Sequence, residues 1–447
     1  MNGLSLLKKA FRLEETERAP WVPFVGVHGG NLIGVDAESY LKSSKNIVEG
    51  ISRAVELYKP DGIPVAFDLQ IEAEILGCKL IWSKENPPAV VSHPLTEGVE
   101  LSKLSLLEKT DGRIPIVLEA ASLLRKKYPD LALYGLITGP FTLALHLLGS
   151  DIFMKMFEDP DYVSEVMEFC TQVGVKYSEM LIEAGCDVIA VVDPMTSQID
   201  PLSFETFVSP YVGEIFNQIR LMGKYSSLFV CGNAQQNIEV MCNCRPDNIS
   251  IDENIPLGYV RDIALQKGIS FGGNLKLTSV LLLGNELDSQ MDAISCIDLG
   301  GKRGFILAPG CDLPMDTPVA NLQAVTELVY DEYIQQVTRK MEHHTSLEPL
   351  SLEGHWVNGK VIVDIITLDS ASCAPCQYMV EAVKQASTGF GDRVIINEHK
   401  IKEIDGIRMM MALGVQNLPT TCINGRIAFI SQIPRKSELE KAISEAF

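Results

Sequence analysis

The sequence predicts an α/β protein in which a (β/α)8 barrel, a TIM barrel, precedes a smaller α/β domain. One observation is an eight-fold alternation of short apolar segments with amphipathic helical segments. Apolar strands that alternate with helices are typical of parallel strands covered on both faces, and eight such units fit a barrel. The other observation is a shorter strand–helix pattern after a polar, proline-containing stretch. We assign residues 1–342 to the barrel, 343–357 to a linker and 358–447 to the second domain.

The barrel strands are predicted from the position of each apolar segment between turn signals. Their predicted ranges are 21–28, 62–69, 131–138, 188–193, 227–233, 248–252, 270–275 and 304–311. The clearest helices between them are predicted at 37–58 and 159–184. The connection 72–110 is long and is expected to be an insertion over the active face. Within it, Glu72 and Glu74 are expected to be solvated surface charges, with a position over the mouth of the barrel as the alternative.

Composition excludes some functions. The chain has 58 acidic and 38 basic residues and a formal net charge of -20, whereas a nucleic-acid binder needs a basic face. No apolar run is long enough to span a bilayer and no signal sequence is evident, so we expect a cytoplasmic protein without a membrane partner. The eleven cysteines are scattered, unlike a secreted disulfide framework.

The second domain carries Cys373-Ala374-Pro375-Cys376 between a predicted strand and helix, and Leu418-Pro419-Thr420 at a strand entry. With the predicted βαβαββα order, these motifs resemble the thioredoxin-like family. That resemblance implies that Cys373 attacks as a thiolate, Cys376 resolves the mixed disulfide, and Pro419 is a cis-proline facing them. The alternative is a module used only for docking. No further Cys or His pair completes a zinc site with this CxxC motif.

In the barrel, the ends of predicted strands carry short motifs in a fixed order. They are Phe67-Asp68-Leu69, Gly139-Pro140-Phe141, Asp193-Pro194, Cys231-Gly232-Asn233, Gly272-Gly273-Asn274 and Ala308-Pro309-Gly310-Cys311. This part resembles the uroporphyrinogen decarboxylase superfamily, and within it the corrinoid:coenzyme M methyltransferase branch. The decarboxylases hold a many-carboxylate porphyrinogen with arginines in the first βα loop. That loop has none here between Phe24 and Asn31.

The methyltransferase resemblance implies zinc bound by a His-x-Cys pair and a distant Cys, which makes the acceptor thiol a thiolate. Cys231 and Cys311 match the two cysteines, but Phe229 stands where the histidine is expected. The third ligand is then expected from His28, Glu253 or Asp193. The alternatives are a metal-free thiol pair, redox-coupled to Cys373 and Cys376, and two buried cysteines in an inactive barrel.

Other strand-end residues are weaker candidates. Asp193 and Asn233 are predicted to bind substrate as catalytic residues, with structural loop-capping as the alternative. Asp68, Gly272, Gly273 and Asn274 are predicted to lie at the cofactor.

These observations predict methyl transfer from a methylated corrinoid to a thiol or related acceptor. The chain has no Asp-x-His-x-x-Gly segment of the type that binds cobamide in corrinoid proteins. A separate corrinoid protein is therefore expected to supply the methylcobamide, and a thiol–disulfide reductant is a possible further partner. The alternatives are a decarboxylase-like lyase acting on a smaller substrate and a non-catalytic protein that binds a corrinoid or redox partner.

Overall fold

The computed structural model describes residues 2–340, 349–357, 359–371 and 373–447. The chain divides into two compact units, the first made of residues 2–196 and 200–340 and the second of residues 197–199 with the described residues from 349 onward. Residues 343–348 of the predicted linker lie outside the described residues. Among the described helices, none combines the length and apolar character needed to cross a bilayer.

The first unit is built on a curled sheet of parallel strands. Seven strands form it in the order β1-β4-β5-β6-β7-β8-β9, and β2 and β3 form a separate antiparallel pair. The strands are β1 Gly62–Pro64, β2 Leu80–Ile81, β3 Ala89–Val90, β4 Ala132–Thr138, β5 Val188–Val192, β6 Tyr225–Val230, β7 Asn248–Ile251, β8 Ser270–Leu275 and β9 Phe305–Pro309. All residues of β4, β5, β7, β8 and β9 are buried, as expected for strands covered on both faces.

The predicted first strand, 21–28, is wrong. Only Trp21 pairs like a strand residue, through a parallel bridge to Leu307. On its other side the Trp21 carbonyl accepts from the Asp61 backbone N–H, 2.8 Å away, so this single residue joins the two edge strands. Pro20 and Pro23 flank it, and proline cannot donate to a ladder, which explains why pairing stops.

Helices cover the sheet and separate its strands. In the first unit they are α1 Gly3–Phe11, α2 His28–Asn31, α3 Ala37–Leu41, α4 Ser44–Tyr58, α5 Ile71–Ile75, α6 Ile114–Lys127, α7 Pro140–Leu148, α8 Ile152–Glu158, α9 Pro160–Glu183, α10 Pro201–Phe207, α11 Ser209–Leu221, α12 Ile238–Asn243, α13 Leu257–Gln266, α14 Glu286–Gly300, α15 Val319–Tyr330 and α16 Glu332–Thr338. The predicted helix 159–184 matches α9. The predicted helix 37–58 is divided, because the Ser43 hydroxyl caps a new helix by accepting from the Asn46 N–H.

Three aromatic side chains fill the sheet interior beneath the carboxyl ends of the strands. Phe229 of β6 is buried, and its ring lies 4.8 Å from that of Phe24 and 5.9 Å from that of Phe67. Such pairs add packing energy beyond the burial of apolar area. This aromatic floor belongs to an apolar cluster onto which Cys231 and Cys311 also pack.

The second unit is a four-stranded mixed sheet with the order β11-β10-β12-β13. Its strands are β10 Val361–Thr367, β11 Val394–Lys400, β12 Thr420–Ile423 and β13 Arg426–Ile430, and its helices are α17 Ala374–Ser387, α18 Ile404–Ala412 and α19 Lys436–Glu445. β10 is parallel to β11 and antiparallel to β12, and β12 and β13 are antiparallel. The observed element order is the βαβαββα order that the sequence predicts.

Candidate active site

Cys231 and Cys311 meet at the carboxyl edge of the parallel sheet. Cys231 directly follows β6, and Cys311 lies two residues beyond the end of β9. Their Cα atoms are 6.0 Å apart and their sulfurs are joined in a disulfide, a separation typical of such bonds. Both residues are half-buried. The sequence-predicted pairing of these two cysteines in space is therefore present, in the form of a disulfide.

The candidate third zinc ligands all have other partners. The His28 ring, buried in α2, bonds the Met315 carbonyl through Nδ1 at 2.9 Å and the Tyr58 hydroxyl through Nε2 at 2.7 Å. Burial lowers the pKa of His28, which favours the neutral ring. The carboxylate of Asp193 accepts hydrogen bonds from the backbone of Phe141 and from Thr142.

Asp193 therefore ties the end of β5 to the first turn of α7. Its oxygens take up two backbone N–H groups that the helix leaves unpaired and the Thr142 hydroxyl at 2.6 Å. Burial raises the pKa of Asp193 to about 6. This is the loop-capping alternative for Asp193. Asn233 is half-buried beyond Cys231, and its side-chain oxygen accepts from the Gln235 N–H at 3.4 Å.

Glu253 lies two residues beyond the end of β7, against the backbone that precedes Cys311. A Cβ atom placed on Gly310, the neighbour of Cys311, would come within 2.6 Å of the Glu253 backbone nitrogen. The Glu253 carboxylate accepts a hydrogen bond from the Leu277 backbone N–H. Burial, with a smaller contribution from the nearby Asp252 carboxylate, raises the pKa of Glu253 to about 8. This carboxyl group can therefore gain or lose a proton near neutral pH.

The Gly272-Gly273-Asn274 segment approaches neighbouring strands closely. A Cβ on Gly273, where φ is +121°, would lie 2.8 Å from the Ile251 carbonyl oxygen of β7. The buried Asn274 side chain donates to the backbone carbonyls of Asp252 at 3.1 Å and Ile255 at 2.7 Å. These residues thus approach protein backbone closely, and their predicted contact with a cofactor stays a prediction.

A buried ionic cluster at the same edge was missed from the sequence. Arg113, 6% exposed, forms ion pairs with Asp68 and, at 2.7 Å, with Glu74. Its guanidinium also lies 4.8 Å from the Trp82 ring centre, and its Nη2 has no hydrogen-bond partner among the described residues. Arg113 ends the long insertion that follows Asp68. Sequence spacing could not place it there, because 45 residues separate the two partners.

The expectation that Glu72 is a solvated surface charge is wrong. Glu72 is 1% exposed and accepts from the Thr138 backbone N–H at 2.7 Å and the Thr138 hydroxyl at 3.0 Å. Burial raises the pKa of Glu72 to about 7. Its position one residue into α5 directs it back to the end of β4.

In the second unit, Cys373 is the residue that caps α17, and Cys376 lies in the first turn. Their sulfurs are 2.6 Å apart, Cys373 is half-buried and Cys376 is buried. Burial, together with the hydrogen bond that the Cys376 thiol donates to the Cys373 sulfur, raises the pKa of Cys376 well above its usual range. The Leu418–Pro419 peptide bond is cis. The described geometry places the less buried thiol at the helix start, as the sequence predicts.

A family model described as uroporphyrinogen decarboxylase (URO-D) matches residues 3–332. The chain belongs to the uroporphyrinogen decarboxylase family. The match falls within the first unit, so it establishes the predicted superfamily for the barrel-like part alone. The curated relatives of this chain include enzymes with two different activities.

Among curated relatives, the methylcobamide:CoM methyltransferase MtbA of Methanosarcina acetivorans is 29% identical over 271 residues, covering 60% of this chain and 78% of the relative. MtaA of Methanosarcina barkeri, with the same description, is 28% identical over 283 residues, covering 62% and 81%. Uroporphyrinogen decarboxylase of Carboxydothermus hydrogenoformans is 24% identical over 305 residues, covering 66% and 85%. A solved methyltransferase structure from Methanosarcina mazei, 23% identical, matches the fold with a TM-score of 0.69 over 74% of this chain and 99% of its own.

The side chains of this family member do not fit a zinc ion as they are arranged. Catalytic zinc normally takes three protein ligands and keeps one open position. Here the two sulfurs are bonded to each other, Phe229 contributes an aromatic ring, and His28 has both ring nitrogens engaged. Within the described residues, no group of three or more His, Cys, Asp or Glu side chains is placed to hold a metal ion.

Proposed function

We propose that this protein transfers a methyl group from a methylated corrinoid, supplied by a separate corrinoid protein, to a small thiol. The observation that carries the proposal is the position of Cys231, Cys311 and Glu253, which come from three strand ends and share one edge of the sheet. In folds of this kind that edge carries the chemistry. The relatives described as methylcobamide:CoM methyltransferases support the same reaction class.

The reaction needs a thiolate acceptor and a place for its proton. The acceptor sulfur attacks the methyl carbon, the bond from carbon to the corrinoid breaks, and its electron pair stays with the corrinoid. The products are a methyl thioether and a demethylated corrinoid. An ordinary thiol has a pKa of about 8.5. A carboxyl group with a pKa of about 8 is matched to that thiol, so its ionised form can accept the proton with little change in free energy. We assign this role to Glu253.

No step of the proposed reaction uses zinc, because the side chains around Cys231 and Cys311 do not fit a zinc ion. The decarboxylase alternative is less well supported. The first βα segment has no arginine to hold carboxylates, and the Asp68 carboxylate is engaged in an ion pair with Arg113.

For the second unit we propose a thioredoxin-like thiol–disulfide module. The more accessible Cys373 attacks a disulfide as a thiolate, and Cys376, whose raised pKa keeps it protonated at rest, resolves the mixed disulfide. The element order, the cysteines at the start of α17 and the proline at the entry of β12 support this assignment. Reduction of a model disulfide by the wild type, and its loss in Cys373→Ser, is the corresponding test.

The test of methyl transfer is a turnover assay on reduced protein with methylcobalamin and a panel of thiols that includes coenzyme M. We expect a methyl thioether to form with equimolar loss of methylcobalamin. Glu253→Gln should be slowed roughly ten-fold at pH 7, because a thiol with a pKa of about 8.5 is already a few per cent thiolate there, and the deficit should shrink above pH 9, where the acceptor thiol ionises unaided. Glu239→Gln, which removes an exposed carboxylate from α12, is the matched control. Absence of thioether with every thiol would refute the proposal and leave a binding role.

A further inference from the structure

The cysteines of this chain differ sharply in their access to solvent. Eight of the eleven are buried, and burial raises the pKa of each of these eight thiols. The three that retain solvent access are Cys231, Cys311 and Cys373. Thiol–disulfide exchange requires a thiolate that can reach a disulfide sulfur. The accessible set therefore consists of one disulfide and one thiol at the start of a CxxC motif.

The surroundings of the barrel disulfide suit exchange better than metal binding. The two cysteines pack against an apolar cluster that contains Phe229 and Phe24. On that side the described neighbours present apolar side chains to the sulfurs instead of ligands for a cation. The two cysteines come from separate strand ends, and their Cα separation of 6.0 Å satisfies a disulfide without backbone movement. Both residues are half-buried, so the pair retains solvent access, unlike the eight buried cysteines.

We infer that Cys231 and Cys311 form a reversible thiol–disulfide site, standing where relatives of this fold would be expected to hold a metal, and that its reductant is a CxxC dithiol of the kind carried by the second unit. The inference rests on the proposed redox role of Cys373 and Cys376 and is independent of methyl transfer. It requires no fixed arrangement of the two units, because a dithiol on one molecule can reduce a disulfide on another.

The proposed exchange moves two electrons from the CxxC dithiol to the Cys231–Cys311 disulfide in two steps. The Cys373 thiolate attacks one sulfur of the Cys231–Cys311 bond, which breaks and releases the other cysteine as a thiolate. The Cys376 sulfur then attacks Cys373, forms the Cys373–Cys376 disulfide and releases the second barrel cysteine. Two electrons and the two protons of the CxxC dithiol pass to the barrel pair. An external thiol, such as glutathione, returns the CxxC motif to its dithiol form.

The experiment follows the redox state of each cysteine in the full-length chain. Oxidised protein is placed in reduced glutathione, samples are quenched with maleimide at intervals, and mass spectrometry scores labelling of Cys231 and Cys311. We expect the wild type to reduce the barrel pair at least ten-fold faster than the Cys373→Ser/Cys376→Ser variant. Cys422→Ser, which alters a buried thiol of the same unit, is the matched control and should behave as the wild type.

A second variant traps the intermediate. Cys376→Ser lacks the resolving thiol, so it should accumulate a Cys373–Cys231 or Cys373–Cys311 mixed disulfide, detectable as a cross-linked peptide. Equal reduction rates in the wild type and the double variant, with no cross-linked peptide, would overturn the role of the CxxC dithiol. One zinc per chain in the reduced wild type, lost with Cys231→Ser and protecting both cysteines from oxidation, would overturn the redox site itself. Thioether formation by fully reduced wild type is scored separately, so failure of methyl transfer is distinguishable from failure of this inference.

Discussion

Replacing Arg113 by methionine is expected to destabilise the first unit strongly. The Arg113 side chain is 7% exposed and its partner Asp68 is 0% exposed, so the substitution leaves a buried carboxylate without its cation. Removing one partner of a buried ion pair typically costs about 3–5 kcal/mol. The contact of Arg113 with Glu74, which is 32% exposed, adds less because water screens it. For a unit of this size, with an unfolding entropy of about 2.1 cal/mol/K per residue, that cost corresponds to a fall in Tm of roughly 4–7 °C.

Thermal unfolding of the reduced protein, followed by circular dichroism, measures this effect. The matched control is Arg53→Met, because Arg53 and Glu56 are 51% and 61% exposed and their pair should contribute at most about 1 kcal/mol. The double variant Arg113→Met/Asp68→Asn should recover much of the loss, since it removes the orphaned charge as well. If Arg113→Met unfolds within a degree of Arg53→Met, the expectation that an unpaired Asp68 carboxylate strongly destabilises the first unit is refuted.

Two further predictions concern the mouth of the site. The pKa of Glu253 is raised to about 8 in the fold from an ordinary 4.5. Its contribution to stability is therefore full below about pH 4.5 and is lost as pH rises through 8. Glu253→Gln should flatten urea-denaturation stability across that window by up to a few kcal/mol, and an unchanged slope would contradict the pKa. Phe229→His supplies a nitrogen two residues from Cys231, on the same side of the strand. In phosphine-reduced protein this variant should bind about one zinc per chain by elemental analysis, whereas wild type and Phe229→Leu should not. Equal zinc in all three proteins would contradict the conclusion that the wild-type side chains do not fit a zinc ion.

The sequence was sufficient for much of the fold because its signals are local. Seven of the eight predicted barrel strands overlap observed strands, and α9 lies where an amphipathic pattern places it. The strand predicted at 21–28 does not form beyond Trp21, because Pro20 and Pro23 interrupt the hydrogen-bond ladder although the segment is apolar. The helix predicted across Ser43 fails because a hydroxyl cap outweighs a continuous apolar stripe.

The site was predictable in part, for a related reason. Strand ends converge in parallel sheets, so the meeting of Cys231 and Cys311 followed from strand assignment alone. Whether the two cysteines form a disulfide or bind a metal did not follow, because both arrangements require the same two residues to lie close together in the fold. The burial of Glu72 and its contact with Thr138, and the Arg113 ion pair with Asp68, depend on how a long insertion folds back, which no local pattern encodes.

The proposed reaction is tested most directly by tracing the methyl group itself. Fully reduced protein is mixed with one equivalent of ¹³C-methylcobalamin and excess coenzyme M, and the quenched mixture is analysed for labelled thioether by mass spectrometry. We expect labelled methyl thioether in an amount equal to the methylcobalamin consumed. Glu253→Gln should form it more slowly than Glu239→Gln. Methylcobalamin that stays intact, or label that appears in any product other than a thioether, would contradict the proposed reaction.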